Sequence, residues 1–296
     1  MLFGQFLALL TAACFAYASQ VWSFSGKIIG STRVAHVRLW LALPMVLMVH
    51  FLFHGSLFPL GLQPKAYLFF ILSGLCGFAL ADLFIFKALV VLGARQTLVI
   101  LILSPLFGTL VSWFSLHERI SPLQILGIVV IVVGVMGVVY EEGKAGKVGG
   151  RKHQGLGVFF ALVGAFSQSS ANVLSKHGFL YDVHPVSAGV LRIVSGLAGL
   201  FLFSLVRGKL VNDFSRLEGK RVLLLLSAAF IGPVLGVVVS LYALRLAPVG
   251  VISALMQMSP VLLLPVDRFV YKHRVSLKAV AWTVCAVAGV VILFII

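Results

Sequence analysis

A repeated pattern constrains the fold of this chain more than any other feature of its sequence. The stretch from Thr97 to Val138 is matched, 155 positions later, by the stretch from Ile252 to Leu293. Matching positions include Ser104-Pro105 with Ser259-Pro260, Ser121 with Ser276, Gly134 with Gly289, Ala88-Leu89 with Ala243-Leu244, and Gly77 with Gly232. Further upstream the offset drifts by a residue or two, so that Arg38 falls near Arg192. Internal repetition on this scale predicts two copies of one structural unit.

Composition places both copies in a lipid bilayer. The chain has 61% hydrophobic residues, 10% charged residues and a mean hydropathy of +1.13, whereas about 25% of the residues of a soluble domain are charged. A helix needs about 20 mostly apolar residues to cross the hydrocarbon core. Ten segments meet this requirement, at roughly 3–24, 34–53, 66–91, 96–116, 121–140, 156–176, 185–206, 221–244, 249–270 and 277–296. The sequence therefore predicts an all-α integral membrane protein with ten transmembrane helices.

A linker divides the ten spans into two equal sets. Residues 141–154 are glycine-rich, charged and without hydrophobic periodicity, so we expect one five-helix repeat at 1–140 and a second at 155–296. Because five is an odd number, the second repeat must enter the membrane in the opposite sense from the first. Inverted repeats of this kind build many secondary transporters, whose sites lie near the midplane between the two halves.

Topology explains the net charge of +15 without a nucleic-acid partner. Of the 23 Lys and Arg residues, 15 fall in odd-numbered connections, four fall in even-numbered connections and four fall within spans. Lys and Arg collect in the cytoplasmic loops of membrane proteins. We therefore expect the odd-numbered connections in the cytoplasm, both termini outside, and a multi-pass protein of the cell inner (plasma) membrane.

The two Ser-Pro pairs lie inside the fourth and ninth spans. Proline removes a backbone donor and bends or breaks a helix, and loosened backbone at membrane depth is tolerated where it lines a cavity. Because the pairs match at the repeat offset, we expect Ser104, Pro105, Ser259 and Pro260 to line such a cavity. A simple packing kink is the alternative at each position.

These motifs resemble the EamA-type drug/metabolite transporters over almost the whole chain. The resemblance rests on Ala88-Leu89 and Ala243-Leu244 late in the third span of each half, and on the run from Pro105 to Ser121 with its Trp113 and Glu118. It implies ten helices, alternating access and the movement of a small molecule, usually export. The second half departs from the pattern, with Arg268 in place of the tryptophan and His273 in place of the glutamate.

Ionisable residues inside a membrane are candidates for function. Asp82 lies deepest among the acids, and we expect it to couple protons or to bind a substrate ammonium group, or else to pair with a base of a neighbouring helix. Lys87, which matches Tyr242 in the second repeat, faces the same cavity as its partner or extends to the cytoplasmic interface. We expect Arg38 and Arg192 either to receive an anionic substrate or to anchor neighbouring helices to each other.

Uncharged polar residues complete the predicted site. Gln20, Asn172 and Gln257 are the residues that we expect to contact a ligand, although hydrogen-bonding groups between helices also hold bundles together. Small faces built on Gly134 and Gly289 indicate close helix packing, within one protomer or between the two protomers of a homodimer. His50 and His54 share a helical face without an accompanying acid or cysteine, so no metal site and no cofactor are predicted.

The sequence as a whole predicts a secondary active transporter. It would export a small polar or amphipathic metabolite or drug by alternating access, with protons as the first candidate for the driving ion and exchange or facilitated movement as alternatives. The rival interpretation is a membrane-embedded lipid-handling enzyme or accessory subunit. An enzyme would need acids, bases or metal ligands that converge near the interface, and the sequence contains no such cluster, so we expect no catalytic residues.

Overall fold

Both repeats are built from helices over the described residues. The structure, a computed structural model, describes residues 1–29, 31–92, 97, 100–142, 154–208, 219–259, 261–262 and 277–295. The first repeat contains α1 (Leu2–Ile29), α2 (Ser31–His54), α3 (Pro64–Gly74), a π-helical segment (Leu75–Leu80), α4 (Ala81–Leu92), α5 (Ser104–Leu116) and α6 (Pro122–Glu142). The second contains α7 (Gln154–Gly178), a 3₁₀ turn (Phe179–Tyr181), α8 (Pro185–Val206), α9 (Gly219–Ala229), a π-helical segment (Phe230–Gly236), α10 (Val237–Leu246), α11 (Val249–Met256) and α12 (Leu277–Ile295). Most of the predicted linker lies outside the described residues.

The helices have the length and the surface of a membrane protein. Six helical stretches are long and apolar enough to cross a bilayer: Leu2–Trp22, Arg33–His54, Pro64–Ile85, Gly155–Tyr181, Pro185–Val206 and Val222–Leu246. Shorter apolar helices occupy Pro122–Gly137 and Val280–Phe294. Large apolar side chains such as Leu52 and Leu223 are more than two-thirds exposed, as expected of a surface that faces lipid. The exact number of spans stays a prediction, because the fourth and ninth are interrupted and partly outside the described residues.

The last helices of the two repeats pack against each other in opposite directions. A Cβ atom added to Gly127 would meet Leu293, one added to Gly134 would meet Ala286, and one added to Gly137 would meet Trp282. Rising numbers in α6 thus meet falling numbers in α12, which makes these repeat-related helices antiparallel. This geometry is the one that an inverted repeat requires. It also shows that the small faces of α6 and α12 are used within the chain.

The same inversion is visible around the first helix of each repeat. Gly164 of α7 packs against Ile85, while the hydroxyl of Ser73 donates to the carbonyl of Ala171 at 2.6 Å, so α7 runs antiparallel to the continuous helix from α3 to α4. Correspondingly, Ala18 packs against Gly232 and Gly4 packs against Leu246, so α1 runs antiparallel to the helix from α9 to α10. The first helix of each repeat therefore packs against the third span of the other repeat.

Two π-helical segments lie at matching places in the third span of each repeat. Leu75–Leu80 contains Gly77 and Phe230–Gly236 contains Gly232, and these glycines are separated by the repeat offset. A π-helical turn widens the helix locally and is often found at functional sites. Asp82 lies two residues after the first segment, so this irregular turn changes the rotational position of Asp82 on its helix.

Candidate functional site

Asp82 lies inside the bundle and is paired with a base. Its residue is only 9% exposed, and its carboxylate accepts a charge-assisted hydrogen bond from Arg38 of α2. The Nε atom of Arg38 is buried and has no hydrogen-bond partner. The pairing expected as one alternative for Asp82 is therefore present. Because a carboxylate and a guanidinium neutralise each other here, any proton or ligand that reaches Asp82 must compete with Arg38.

Arg38 and Arg192 meet at the same aromatic ring. The Cζ atom of Arg38 lies 5.9 Å from the centroid of Phe78, and that of Arg192 lies 5.5 Å from it. Phe78 belongs to the first π-helical segment, one turn before Asp82. Arg192 is 3% exposed and its Nε atom has no hydrogen-bond partner. Phe78 of the π-helical turn thus lies between one arginine of the first repeat and one of the second.

A second polar group lies where the fourth and ninth spans are interrupted. The chain leaves the helical conformation at 102–103 and at 257–258, immediately before the two Ser-Pro pairs. The amide of Gln257 donates to the carbonyl of Leu101 at 3.1 Å. In an uninterrupted helix the backbone amide of residue 105 would donate to the carbonyl of Leu101, but proline has no amide hydrogen. The side chain of Gln257, at one break, therefore supplies a hydrogen bond that the backbone at the other break lacks.

The serines at the two breaks each bind the first helix of the opposite repeat. Ser104 shares a hydrogen bond of 2.8 Å with the hydroxyl of Ser169 in α7, and the hydroxyl of Ser259 donates to the carbonyl of Ala12 in α1 at 2.9 Å. Pro105 opens α5 and is buried, whereas Pro260 lies outside the described residues. These contacts place Ser104 and Ser259 at the interface between the halves.

The structure separates the remaining predicted ligand-contacting residues. Asn172 of α7 is buried and donates to Ser253 of α11 at 3.3 Å, close to the helix breaks. Gln20 is partly exposed on α1. Asn172 and Gln257 thus lie between the halves, and both are engaged with protein groups.

Lys87 and Tyr242 lie at opposite ends of the bundle. The exposed Lys87 has its Nζ atom 5.4 Å from the ring of Phe160, near the start of α7. The hydroxyl of Tyr242 lies 2.9 Å from His184, which follows the far end of α7. A helix of 25 residues is roughly 37 Å long. The structure therefore does not bring this repeat-related pair together in one cavity.

The connections 55–63, 117–121, 179–184 and 247–248 form one end of the bundle, which we call the even-loop end. Here Glu118 accepts a hydrogen bond of 3.0 Å from the amide of Val249 at the start of α11. Lys176 donates to the carbonyls of Leu244 and Ala247 at the end of α10, at 2.6 and 2.8 Å. Its Nζ atom lies 3.7 Å from Glu118. An anion at a helix N-terminus and a cation at a helix C-terminus both complement the helix dipole.

Sequence reasoning did not identify this network. Glu118 is part of the family resemblance, but the sequence places Lys176 only among the four basic residues of the even-numbered connections. The signal that could have revealed it is a lysine in the last turn of a long apolar helix, where a cation can cap a neighbouring helix. The two residues are 58 positions apart, so no local pattern joins them.

Three histidines also meet at the even-loop end. His50 stacks on His54 with ring centroids 4.5 Å apart, and His54 meets His184 edge-on at 4.7 Å. Burial, then His54, Arg245 and His50, lower the pKa of His184 below its usual value. Within the described ranges, no group of three or more His, Cys, Asp or Glu residues is arranged to hold a metal ion.

An inverted pair of helical repeats, with charged and polar side chains gathered between them, is the architecture of many secondary transporters. The chain belongs to the EamA-like transporter family, part of the drug/metabolite transporter superfamily, because the family model matches residues 2–140 and again residues 155–295.

The fold is also found in solved structures. One crystal structure, described only as that of a protein, is similar to this chain with a TM-score of 0.76 and 20% sequence identity. The similarity covers 98% of this chain and 95% of the chain in that structure. At this identity the similarity shows the fold alone. No curated protein matches the chain.

Proposed function

We propose that this protein is a secondary active transporter that exports a small polar or amphipathic solute by alternating access. The observation that carries the proposal is the buried Asp82–Arg38 pair beside the π-helical turn, in a chain of a transporter family. A pair of this kind can exist in two states, because a proton on Asp82 releases Arg38. Proton uptake would therefore be linked to a change in the contact between α2 and α4.

The contacts between the halves suggest how the two access states differ. The contacts of Glu118 with Val249 and Lys176 join the connection 117–121 to the start of α11 and to the last turn of α7. We therefore assign the structure to a state that is closed at the even-loop end. The two helix breaks lie deeper, between the halves. Rocking of one repeat against the other would open the even-loop end and close the opposite end. From the loop charges, we place the even-loop end and both termini outside the cell.

Proteoliposomes loaded with a pH-sensitive dye provide the test. A panel of amino acids, organic acids and amphipathic cations is added to the outside, and proton movement is followed for the unchanged protein and for Asp82→Asn. We expect a solute-dependent proton flux that Asp82→Asn abolishes. The matched control is Asp182→Asn, since Asp182 is also paired with an arginine but its side chain is 90% exposed.

Two results would contradict the proposal at different levels. Full pH dependence of transport in Asp82→Asn would remove the coupling role of Asp82 and leave transport intact. Lipid-modifying activity without any solute flux would remove the transporter function itself. Labelling of a cysteine at either terminus by a reagent confined to the cytoplasm would reverse the proposed orientation.

A further inference from the structure

Arg192 is a buried cation without a carboxylate. Its residue is 3% exposed, its Nε atom has no hydrogen-bond partner, and among the described residues its guanidinium forms no ion pair. Its contact with Phe78 compensates only part of the charge, because a cation–π contact supplies less than a hydrogen-bonded counter-ion. A guanidinium in this environment is a strong receptor for an anion.

The two repeats differ in whether their matching arginine has an acidic partner. Arg38 and Arg192 are repeat-related, and Arg38 is neutralised by Asp82. The position that matches Asp82 at the repeat offset is Val237, which is apolar and 5% exposed. The second repeat has therefore kept the base while the corresponding acid is absent, which leaves Arg192 without a counter-ion among the described residues.

The surroundings of Arg192 leave room for a guanidinium in mid-membrane. A Cβ atom added to Gly77 would lie 3.2 Å from Nη2 of Arg192 and 3.1 Å from the Cβ atom of Ala171. The absence of a side chain at Gly77 thus leaves the space beside which the guanidinium lies. Gly77 lies well inside the apolar stretch Pro64–Ile85, away from the depth of lipid headgroups. A ligand at this depth would be the transported solute.

We propose that Arg192 binds the anionic group of the transported solute, which is therefore a small organic anion that carries a carboxylate or a phosphate. This inference rests on the transport function proposed above and assigns its substrate class. The planar fork of an arginine matches both groups with two parallel hydrogen bonds. Phe78, which lies between Arg192 and Arg38, would contact the carbon skeleton of the same solute.

Thermal unfolding of the purified protein in detergent tests the substrate class. The probes are acetate, succinate, glutamate and inorganic phosphate, compared with choline and glucose at equal ionic strength. Ligands that bind only the folded state raise the Tm with concentration. We expect at least one anionic probe to raise the Tm of the unchanged protein, with an apparent affinity at least tenfold weaker in Arg192→Gln and an intermediate loss in Arg192→Lys.

Arg207→Gln is the matched control. Arg207 lies at the end of the same helix, also over an aromatic ring, with Cζ 5.2 Å from the centroid of Phe203, but it is exposed. It should respond to the probes as the unchanged protein does. Without ligand, Arg192→Gln should unfold at the same or a higher temperature, because it removes an uncompensated charge. If Arg192→Gln does not fold, the weaker response of Arg192→Lys carries the comparison.

Each outcome bears on the proposal. An anion response that survives in Arg192→Gln would overturn it, as would the absence of any anion response in the unchanged protein. A lower Tm of Arg192→Gln with an unaltered anion response would make Arg192 a helix anchor. Flux of neutral or cationic solutes that does not depend on Arg192 would overturn the substrate class but leave transport standing, whereas the absence of all flux would remove the proposed function.

Discussion

Replacement of Glu118 should loosen the even-loop end by an amount that the contacts define. In Glu118→Ala the amide of Val249 loses a charge-assisted hydrogen bond, which is worth about 1.5–3 kcal/mol. Lys176 loses its counter-ion but keeps its two carbonyls. The side chains of Lys176 and Glu118 are 19% and 13% exposed. The loss of their ion pair therefore lowers the free energy of unfolding by about 1 kcal/mol more.

The total expected for Glu118→Ala is about 2–4 kcal/mol, which lowers the Tm by roughly 3–6 °C for a chain of 296 residues. Glu118→Gln keeps an acceptor for the amide of Val249 and removes only the charge, so about half of this loss should remain. The control is Asp182→Asn at the same end, whose Tm should change by less than a degree or two. Asp182 has a positive φ of 51°, which asparagine tolerates.

Access to the interior gives a second measurement of the same change. With the native cysteines replaced, a cysteine at the buried Ser253 reports opening through its reaction with a thiol reagent that does not cross membranes. A shift of 1.4 kcal/mol between closed and open states changes their ratio tenfold. We expect faster labelling in Glu118→Gln than in the unchanged protein. Equal Tm values and equal labelling rates for Glu118→Ala and Asp182→Asn would refute the view that Glu118 closes this end.

Two further substitutions test packing and pH dependence. In Gly134→Ala the new Cβ atom would lie 2.5 Å from the backbone nitrogen of Ala286, so we expect a loss of about 1–3 kcal/mol in unfolding measurements, whereas Gly155→Ala, with open space around it, should leave the Tm unchanged or slightly raised. Because the pKa of His184 is lowered in the folded protein, its contribution to stability is present above the ordinary histidine pKa of 6.5 and is lost as the pH falls through the lowered value. His184→Gln should therefore flatten the dependence of Tm on pH below about 6.5; an unchanged dependence would contradict this.

The membrane class and the doubled architecture could be predicted from the sequence because they depend on local properties. Apolar runs of sufficient length specify spans, and the offset between Ser104-Pro105 and Ser259-Pro260 marks equivalent places in the two halves. The interruptions of helix at 102–103 and 257–258 follow from the same prolines. These features need no knowledge of which helix lies next to which.

The pairing of charges could not be predicted, because it depends on packing between helices. From the sequence, Asp82 pairs with a base or stays available. The outcome depends on its rotational position on the helix, which the π-helical segment Leu75–Leu80 changes. No local sequence motif predicts that turn. Similarly, Lys87 and Tyr242 match in sequence but separate in space, because inversion sends equivalent positions to opposite ends of the bundle.

The asymmetry between Asp82 and Val237 offers a way to test the whole argument within one chain. If Arg192 binds an anion because its repeat lacks an acid, then Val237→Asp should supply that acid at the position where Asp82 serves Arg38. We expect Val237→Asp to fold and to lose its thermal response to anions, because its own carboxylate then occupies Arg192. Val237→Asp with Arg192→Gln should be less stable than either single variant, since a buried carboxylate would then lack a base. Additive effects of the two substitutions would show that positions 192 and 237 do not communicate, and the asymmetry would then have no bearing on the charge of the solute.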